Sequence, residues 1–368
     1  MPPPPPSPLQ TFIPASSPAF EWAGRRAVSN NNGGVTFDFP GVTATVMTTG
    51  STYFEAVFAS TCADPTRLES SVDGKPPLDT HARGSFWLYA SDAMPHSIIL
   101  GSGLDPALVH TLTVRLAVEA RWAGCGANDT LELAGVLTDG TPSAPLPSGL
   151  HRIEWLGDSI TAGFGAAPDL SNPKTPCPST SACEDPSHTA ALVSVCPSLN
   201  ATCAIVAVSG TTVIPTGSAV ESVKPPLPEL YPRALTYGAS GRSNAWNYSA
   251  WVPEAVVINI GTNDAALPNF GADYAPVLAA FLVNLTGPRG WYAGLTPPRA
   301  LLYCGPMVDT YCEPMQSAVA SAVASGANAA FLGVVNATLD GCDGHPGPTG
   351  NNAMATALLP RIKAAMGW

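Results

Sequence analysis

The sequence predicts two domains of different class: an all-β sandwich or jelly roll, then a doubly wound α/β domain with a parallel sheet between helical layers. Three observations carry this. Residues 20–140 hold short β-branched and aromatic runs separated by Gly, Pro, Asn and Asp, with no helical period. Residues 150–368 alternate short, nearly continuous apolar runs with helix-like stretches, the texture of strands buried on both faces. Between them, residues 141–149 (TPSAPLPSG) have the composition of a linker. A length of 368 residues suits two domains of ordinary size.

The elements follow in order. Residues 1–19 read as a proline-rich tail, the first ten as solvated polyproline. Strands are expected at Val35–Phe39, Val42–Met47, Tyr53–Ser60, Ser85–Tyr89, Ser97–Leu100, Leu112–Val118 and Leu131–Leu137. Val35–Phe39 alternates apolar and polar side chains, as a sheet packed on one face requires. In the second part the apolar runs Arg152–Leu156, Ala204–Val208, Ala255–Ile260, Ala300–Tyr303 and Ala330–Val335 predict buried parallel strands. Helices are expected near Thr189–Cys196, Ala272–Leu285, Glu313–Ala324 and Ala353–Met366. Two proline-rich excursions, Pro168–Ser187 and Pro215–Ala250, exceed the length of plain connectors and are expected to shape a cleft.

Composition narrows the class. Apolar residues make up 45%, enough for sizeable cores, while charged residues are only 12%. With 34 glycines and 39 prolines the chain is rich in turns and is no helical bundle. Sixteen basic against 27 acidic residues leave a net charge of −11, which repels phosphate backbones, so nucleic acid is not an expected partner. No membrane association is expected either, because no apolar run reaches the length of a span; Ala318–Val335 comes nearest and is broken by Ser321, Ser325, Gly326 and Asn328.

The nine cysteines show no zinc-ligand spacing, and no metal is expected. Neighbours in sequence suggest the disulfides Cys62–Cys125, Cys177–Cys183, Cys196–Cys203 and Cys304–Cys312, with Cys342 left over. Five N-x-S/T sequons occur, at Asn128, Asn200, Asn247, Asn284 and Asn336. Cysteines and sequons together point to a secreted glycoprotein. Met1 leads into a proline run rather than a basic and then apolar leader, so the start is read as trimmed.

Four short stretches carry the chemistry. In Arg152-Ile-Glu-Trp-Leu-Gly-Asp-Ser159 a buried strand ends at Gly157 and Ser159 opens a helix, which exposes a hydroxyl at the carboxyl edge of the sheet. Val206-Ala-Val-Ser-Gly210 ends a second strand on a glycine whose N–H is a candidate donor. Val257-Ile-Asn-Ile-Gly-Thr-Asn263-Asp264 brings a side-chain amide to the same edge. Asp340-Gly-Cys-Asp343-Gly-His345-Pro346 supplies a candidate general base, with Asp343 or Asp340 to orient its ring. Taken singly, each stretch has an ordinary structural reading: Ser159 as a helix N-cap, Asn263 as an Asx turn, His345 as a surface histidine. The other histidines, His81, His96, His110, His151 and His188, are assigned structural or surface roles.

In this order the four blocks resemble the SGNH (GDSL-type) hydrolase superfamily over residues 150–368. The resemblance implies Ser159 as nucleophile, His345 as base, and an oxyanion hole made by the Ser159 and Gly210 N–H groups with the Asn263 side chain. The superfamily's usual acid, three residues before the histidine, is here Cys342. With the N-terminal β domain and the Gly-x-Asp-x-His-Pro ending, the chain is most similar to carbohydrate esterase family 2, in which the acid of some members lies two residues before the histidine and others use a backbone carbonyl. That favours Asp343 as the third catalytic residue.

The resemblance implies a monomeric serine esterase that needs no cofactor and takes acetyl groups from polysaccharides such as xylan. The alternatives are an esterase or lipase for other acyl esters, and a carbohydrate-binding protein without catalysis. Trp246, Trp251 and Trp291 fall near loops where aromatic faces would stack on sugars, although burial suits them equally. The β domain is expected to buttress the cleft.

Overall fold

The computed structural model describes residues 10–28, 33–62, 66–75, 85–88, 96–119, 131–144, 149–167, 184–216, 225–236 and 244–368. Twelve strands build the N-terminal part: β1 (Thr11–Pro14), β2 (Phe20–Ala23), β3 (Ala27–Val28), β4 (Val35–Thr36), β5 (Thr43–Thr49), β6 (Tyr53–Ser60), β7 (Thr66–Val72), β8 (Ser85–Leu88), β9 (His96–Ser102), β10 (Val109–Leu116), β11 (Leu131–Thr138) and β12 (Thr141–Pro142). They form two antiparallel sheets. One runs β3-β4-β11-β6-β9 with β1 on β11, the other β12-β5-β10-β7-β8 with β2 on β5. Period-two burial explains the pairing: Phe54, Ala56 and Phe58 of β6 and Leu112, Val114 and Leu116 of β10 turn alternate side chains inward.

Where sequence and sheet differ, the reasons are local. Thr11–Pro14 was expected in the tail but pairs with Gly135–Thr138 of β11, and Thr141–Pro142, expected in the linker, pairs with Thr48–Thr49 of β5. Only the first two residues of the expected strand Val35–Phe39 stay in the sheet. The chain leaves because the Asp38 carboxylate accepts the Thr236 N–H, drawing this segment onto the second part. β7 was not foreseen, because its inward positions include Thr66 and Ser70 rather than a run of apolar residues.

The second part is a five-stranded parallel sheet of β13 (His151–Gly157), β14 (Ala201–Ala207), β15 (Ala255–Asn259), β16 (Arg299–Cys304) and β17 (Ala329–Val334), in the order β14-β13-β15-β16-β17. Its main helices are α1 (Ser159–Ala162), α2 (Phe270–Thr286), α3 (Cys312–Ala324) and α4 (Pro348–Met366). The chain passes from β13 to one neighbour and then to the other, so the carboxyl end of β13 is the topological switch point where open α/β sheets bind ligands. α4 starts five residues before the expected helix, with Pro348 in its first turn and the distant Asp340 capping its free N–H groups.

The two parts interlock. Arg25, beside β2, forms a buried ion pair with Glu154 of β13 at 3.1 Å and donates to the Tyr231 carbonyl. Burial alone would weaken its charge, and the Glu154 carboxylate more than reverses this, holding the Arg25 pKa above its usual value. One apolar cluster runs through both parts, from Phe54 and Leu112 to Val256 and Leu302.

Disulfides join Cys196 to Cys203 and Cys304 to Cys312, as the spacing suggested. Cys342, expected to be left over, is itself disulfide-bonded, as is Cys62. The pairings that involve Cys125, Cys177 and Cys183 lie outside the described residues. Among the described residues no helix is long and apolar enough to cross a membrane.

Candidate active site

Three neighbouring strands end together. Gly157 of β13 lies in register with Ala207 of β14 on one side and Asn259 of β15 on the other. The segments that follow, with Ser159, Gly210 and Asn263, therefore emerge at one edge. Gly157 is required there because a Cβ would collide with the Asn259 carbonyl and the Thr161 side chain. Asp158 is the N-cap of α1, its carboxylate accepting Ile160 N–H at 3.1 Å. Ser159 is thus the first helical residue and not the cap, so its hydroxyl is free for another partner.

That partner is His345. Ser159 Oγ and His345 Nε2 are 2.8 Å apart across 186 positions of sequence. On the far side of the ring, Nδ1 lies 3.1 Å from the main-chain carbonyl of Asp343. A carbonyl oxygen only accepts, so Nδ1 carries the proton and Nε2 is left to accept from the serine hydroxyl. Phe164 packs on the imidazole with ring centres 4.8 Å apart. Gly165 (φ +77°) lets the Ser159 loop approach this closely, since a Cβ there would sit 2.7 Å from His345 Cβ. Burial lowers the His345 pKa below its ordinary value, and the Asp343 carbonyl and charge offset this only in part.

Of the arrangements left open by the sequence, an Asp343 or Asp340 carboxylate or a backbone carbonyl, the ring meets the carbonyl of Asp343. Its backbone is left-handed (φ +51°, ψ +32°), which turns the carbonyl rather than the carboxylate toward Nδ1. Asp340 does not face the ring. It accepts the N–H groups of Gly347, Thr349 and Gly350 at 2.8–3.0 Å and so fixes the start of α4 behind the His345 loop. Burial raises the Asp340 pKa, but the Gly350 and Thr349 N–H groups outweigh it and hold the carboxyl below its usual value.

On the other side of Ser159, Asn263 Nδ2 donates to the Thr211 carbonyl at 3.0 Å and reaches Asp158 Oδ2 at 3.4 Å. These contacts replace the Asx turn considered above. Gly210 lies in the turn closed by Thr211 N–H on the Val208 carbonyl, with φ +82°. Among the described residues neither the Ser159 nor the Gly210 N–H has a protein acceptor. Asp264, beside Asn263, accepts Val213 and Ile214 N–H, tying the two loops together. Burial pushes Asp158 up to about 7 and Asp264 up to about 6.

The remaining candidates have structural partners. His110 bonds Asp73 and the Asp105 carbonyl, His188 bonds Asp185, and His151 stacks on Trp368 with ring centres 3.9 Å apart. Trp246 is buried below Arg25, and Trp291 packs on Tyr231 and Phe281. His81 and the sequon Asn128 lie outside the described residues.

No family model matches the chain. It is 28% identical over 229 residues, 59% of its length, to the cellulase/esterase CelE of Acetivibrio thermocellus. The match takes in 26% of that relative, so the chain spans far less than the relative's full length. A family two carbohydrate esterase from Clostridium thermocellum, solved in complex with cellohexaose, superposes with a TM-score of 0.75 at 22% identity, covering 95% of this chain and 99% of that one. The acetyl xylan esterase Est2A of Butyrivibrio proteoclasticus superposes with a TM-score of 0.78 at 17% identity, covering 98% and 99%. This chain has the family two carbohydrate esterase fold.

Within that family two fold, four residues around the candidate site were not singled out from the sequence. Phe164 was visible only as one aromatic after the Gly-Asp-Ser block. Asp158 and Asp264 were visible inside their blocks, and what betrays their role is the residue type itself, since a buried Asp at a strand end holds backbone N–H groups. Glu119 carried no sequence signal at all. It comes from beyond β10 in the sandwich and reaches the Gly210 turn.

Proposed function

We propose that this chain is a secreted serine esterase of the carbohydrate esterase type, removing acetyl groups from a polysaccharide through an acyl-enzyme. The observation that carries the reading is the 2.8 Å contact from Ser159 Oγ to a His345 whose other nitrogen faces only an acceptor. In this reading His345 Nε2 takes the hydroxyl proton as Oγ attacks the ester carbonyl, and the Asp343 carbonyl steadies the resulting imidazolium through Nδ1–H. The developing oxyanion is held by the Ser159 and Gly210 N–H groups and Asn263 Nδ2. A key donor of this kind contributes about 3–4 kcal/mol at the transition state. His345 then returns the proton to the leaving sugar oxygen, and a water deprotonated by the same ring releases acetate and restores Ser159.

The solved relatives support a carbohydrate as carrier: one was crystallised with cellohexaose and another is an acetyl xylan esterase. Two disulfides are in keeping with an oxidising compartment. The test is hydrolysis of an aryl acetate and of acetylated xylan, with acetate release measured against longer acyl esters. Ser159→Ala and His345→Ala are each expected to lower kcat by at least about 10³-fold while circular dichroism stays unchanged. Either variant keeping a tenth of the activity overturns the assignment, and a preference for long acyl chains overturns the acetyl specificity.

A further inference from the structure

The turn Val208–Thr211 does two jobs at the site. It presents the Gly210 N–H, and its last carbonyl, that of Thr211, receives Asn263 Nδ2 at 3.0 Å. Two of the three proposed oxyanion donors therefore take their position from four residues. The end of β14, the Gly157 carbonyl that accepts the Val208 N–H, and Asp264 beyond Thr211 hold this segment from the parallel sheet, and the sandwich adds a hold on Ser209 itself. The Glu119 side chain is buried, and its Oε1 accepts both the Ser209 N–H at 2.7 Å and the Ser209 Oγ–H at 2.8 Å. Two short bonds from one residue to one carboxyl oxygen fix both the Val208–Ser209 peptide, the one immediately before the peptide that carries the Gly210 N–H, and the Ser209 side chain.

We propose that Glu119 of the β-sandwich is a positioning residue of the catalytic centre, setting through Ser209 the turn that places the Gly210 N–H and, through Thr211, the Asn263 amide. This makes the sandwich part of the machinery and not only a buttress, and it rests on the esterase reading above. A second contact runs the same way: Arg67 of β7 donates to the Glu184 carbonyl, and Asp185 N–H donates to the carbonyl of Gly163, the C-cap of the nucleophile helix α1. Glu184 is also buried, and burial together with the Glu119 charge pushes its pKa well above the carboxylate range.

The test compares Glu119→Asp, Glu119→Gln and Glu119→Ala in the full chain. Active sites are counted with a serine-directed phosphonate taken to completion, and aryl acetate kinetics are expressed per titrated site. Aspartate withdraws the acceptor by about one C–C bond, ~1.5 Å, and misplacements of about 1 Å lower rates by as much as ~10²-fold. The expected result is a 10- to 100-fold lower kcat per site in the Asp and Ala variants with KM within about twofold. Glutamine keeps an oxygen at the Oε1 position, and its kcat is expected within about fivefold of the parent. A residue that merely supports folding would change the titre and leave kcat per site alone. If kcat per site in Glu119→Asp stays within twofold of the parent, or if Glu119→Gln falls as low as Glu119→Asp, the proposal is wrong. Should Glu119→Ala fail to fold, the Asp and Gln pair still decides. A parent protein that neither titrates with phosphonate nor hydrolyses the acetate overturns the esterase reading itself, a result distinct from an active parent with indifferent variants.

Discussion

Replacing Asp343 separates a carboxylate mechanism from a carbonyl one. In the serine protease triad, exchanging the acid for its amide lowers kcat by about 10⁴-fold because the histidine loses its tautomer. Here Nδ1–H is held by the Asp343 main-chain oxygen at 3.1 Å, and that oxygen survives any substitution that keeps the backbone in place. Asparagine tolerates the left-handed conformation that Asp343 adopts at φ +51°. At the histidine, Asp343→Asn therefore leaves the carbonyl contact in place and removes the Coulombic attraction of an exposed carboxylate for the imidazolium. Two unit charges 4 Å apart in water attract by about 1 kcal/mol, which bounds the loss at about fivefold. Asp343→Val reverses the test. A β-branched residue resists this conformation by about 1–3 kcal/mol, so the peptide swings and the carbonyl leaves Nδ1, and kcat is expected to fall 10- to 100-fold. The assay is kcat on an aryl acetate at pH 7.5, with melting temperature as the control for folding. A loss of 10³-fold in Asp343→Asn, or an unimpaired Asp343→Val, refutes the reasoning.

Two further outcomes follow from the same geometry. His345 must be neutral to act as base, and burial lowers its pKa, so the acid limb of kcat/KM should have its midpoint below the ordinary histidine value of about 6.5; a limb centred at or above pH 7 in a pH–rate profile counts against this. Asp340→Ala frees three N–H groups at the start of α4 and is expected to cost about 1–2 kcal/mol, as lost caps do. That corresponds to a melting temperature lower by roughly 1–3 °C in a chain of this size. Because the Asp340 pKa is held below its usual value, its contribution is present above about pH 4 and fades as acid protonates it, so parent and variant should converge at low pH. Equal melting temperatures at pH 7 in calorimetry would show that Asp340 is not the cap.

The strands of the parallel sheet were legible to within a few residues because β13 and β15 are buried on both faces and are therefore largely apolar. β7 was not, because Thr66 and Ser70 occupy its inward positions and the alternation becomes invisible in composition. β1 lay hidden beside a proline run, and only its pairing with β11 makes it a strand. At the site, Ser159, Asn263 and His345 were legible because each sits at a strand end or a loop with a distinctive neighbourhood of Gly and Asp. The orientation of Asp343 was not, since a φ of +51° is decided by the Cys342–Gly344 turn and not by residue type alone. Cys342 was assigned no partner because neighbours in sequence were paired first, yet it is bonded. Glu119 was illegible for a further reason: its target, Ser209, lies 90 positions away and is met only through the packing of two sheets.

Three carboxylates, one in each acid-bearing block, share one behaviour. Asp158 holds Ile160 N–H, Asp264 holds those of Val213 and Ile214, and Asp340 holds those of Gly347, Thr349 and Gly350. Each grips main-chain donors of a loop that carries a candidate functional group, and Glu119 does the same from the sandwich. A loop has few apolar contacts with which to set its position, whereas a carboxylate accepting several N–H groups fixes peptide planes directly and satisfies donors that would otherwise be buried unpaired. In the proposed esterase, acids act on geometry and backbone groups act on the reacting atoms: the Asp343 carbonyl would steady the base, and the Ser159 and Gly210 N–H groups would face the oxyanion. Such a site needs no carboxylate on the histidine, because the ring is already held between Phe164 and a carbonyl. It depends instead on the loops being held to a few tenths of an ångström. That requirement explains why so many acids in a weakly charged chain are buried where the strands end, and why one of them is supplied by the neighbouring sandwich.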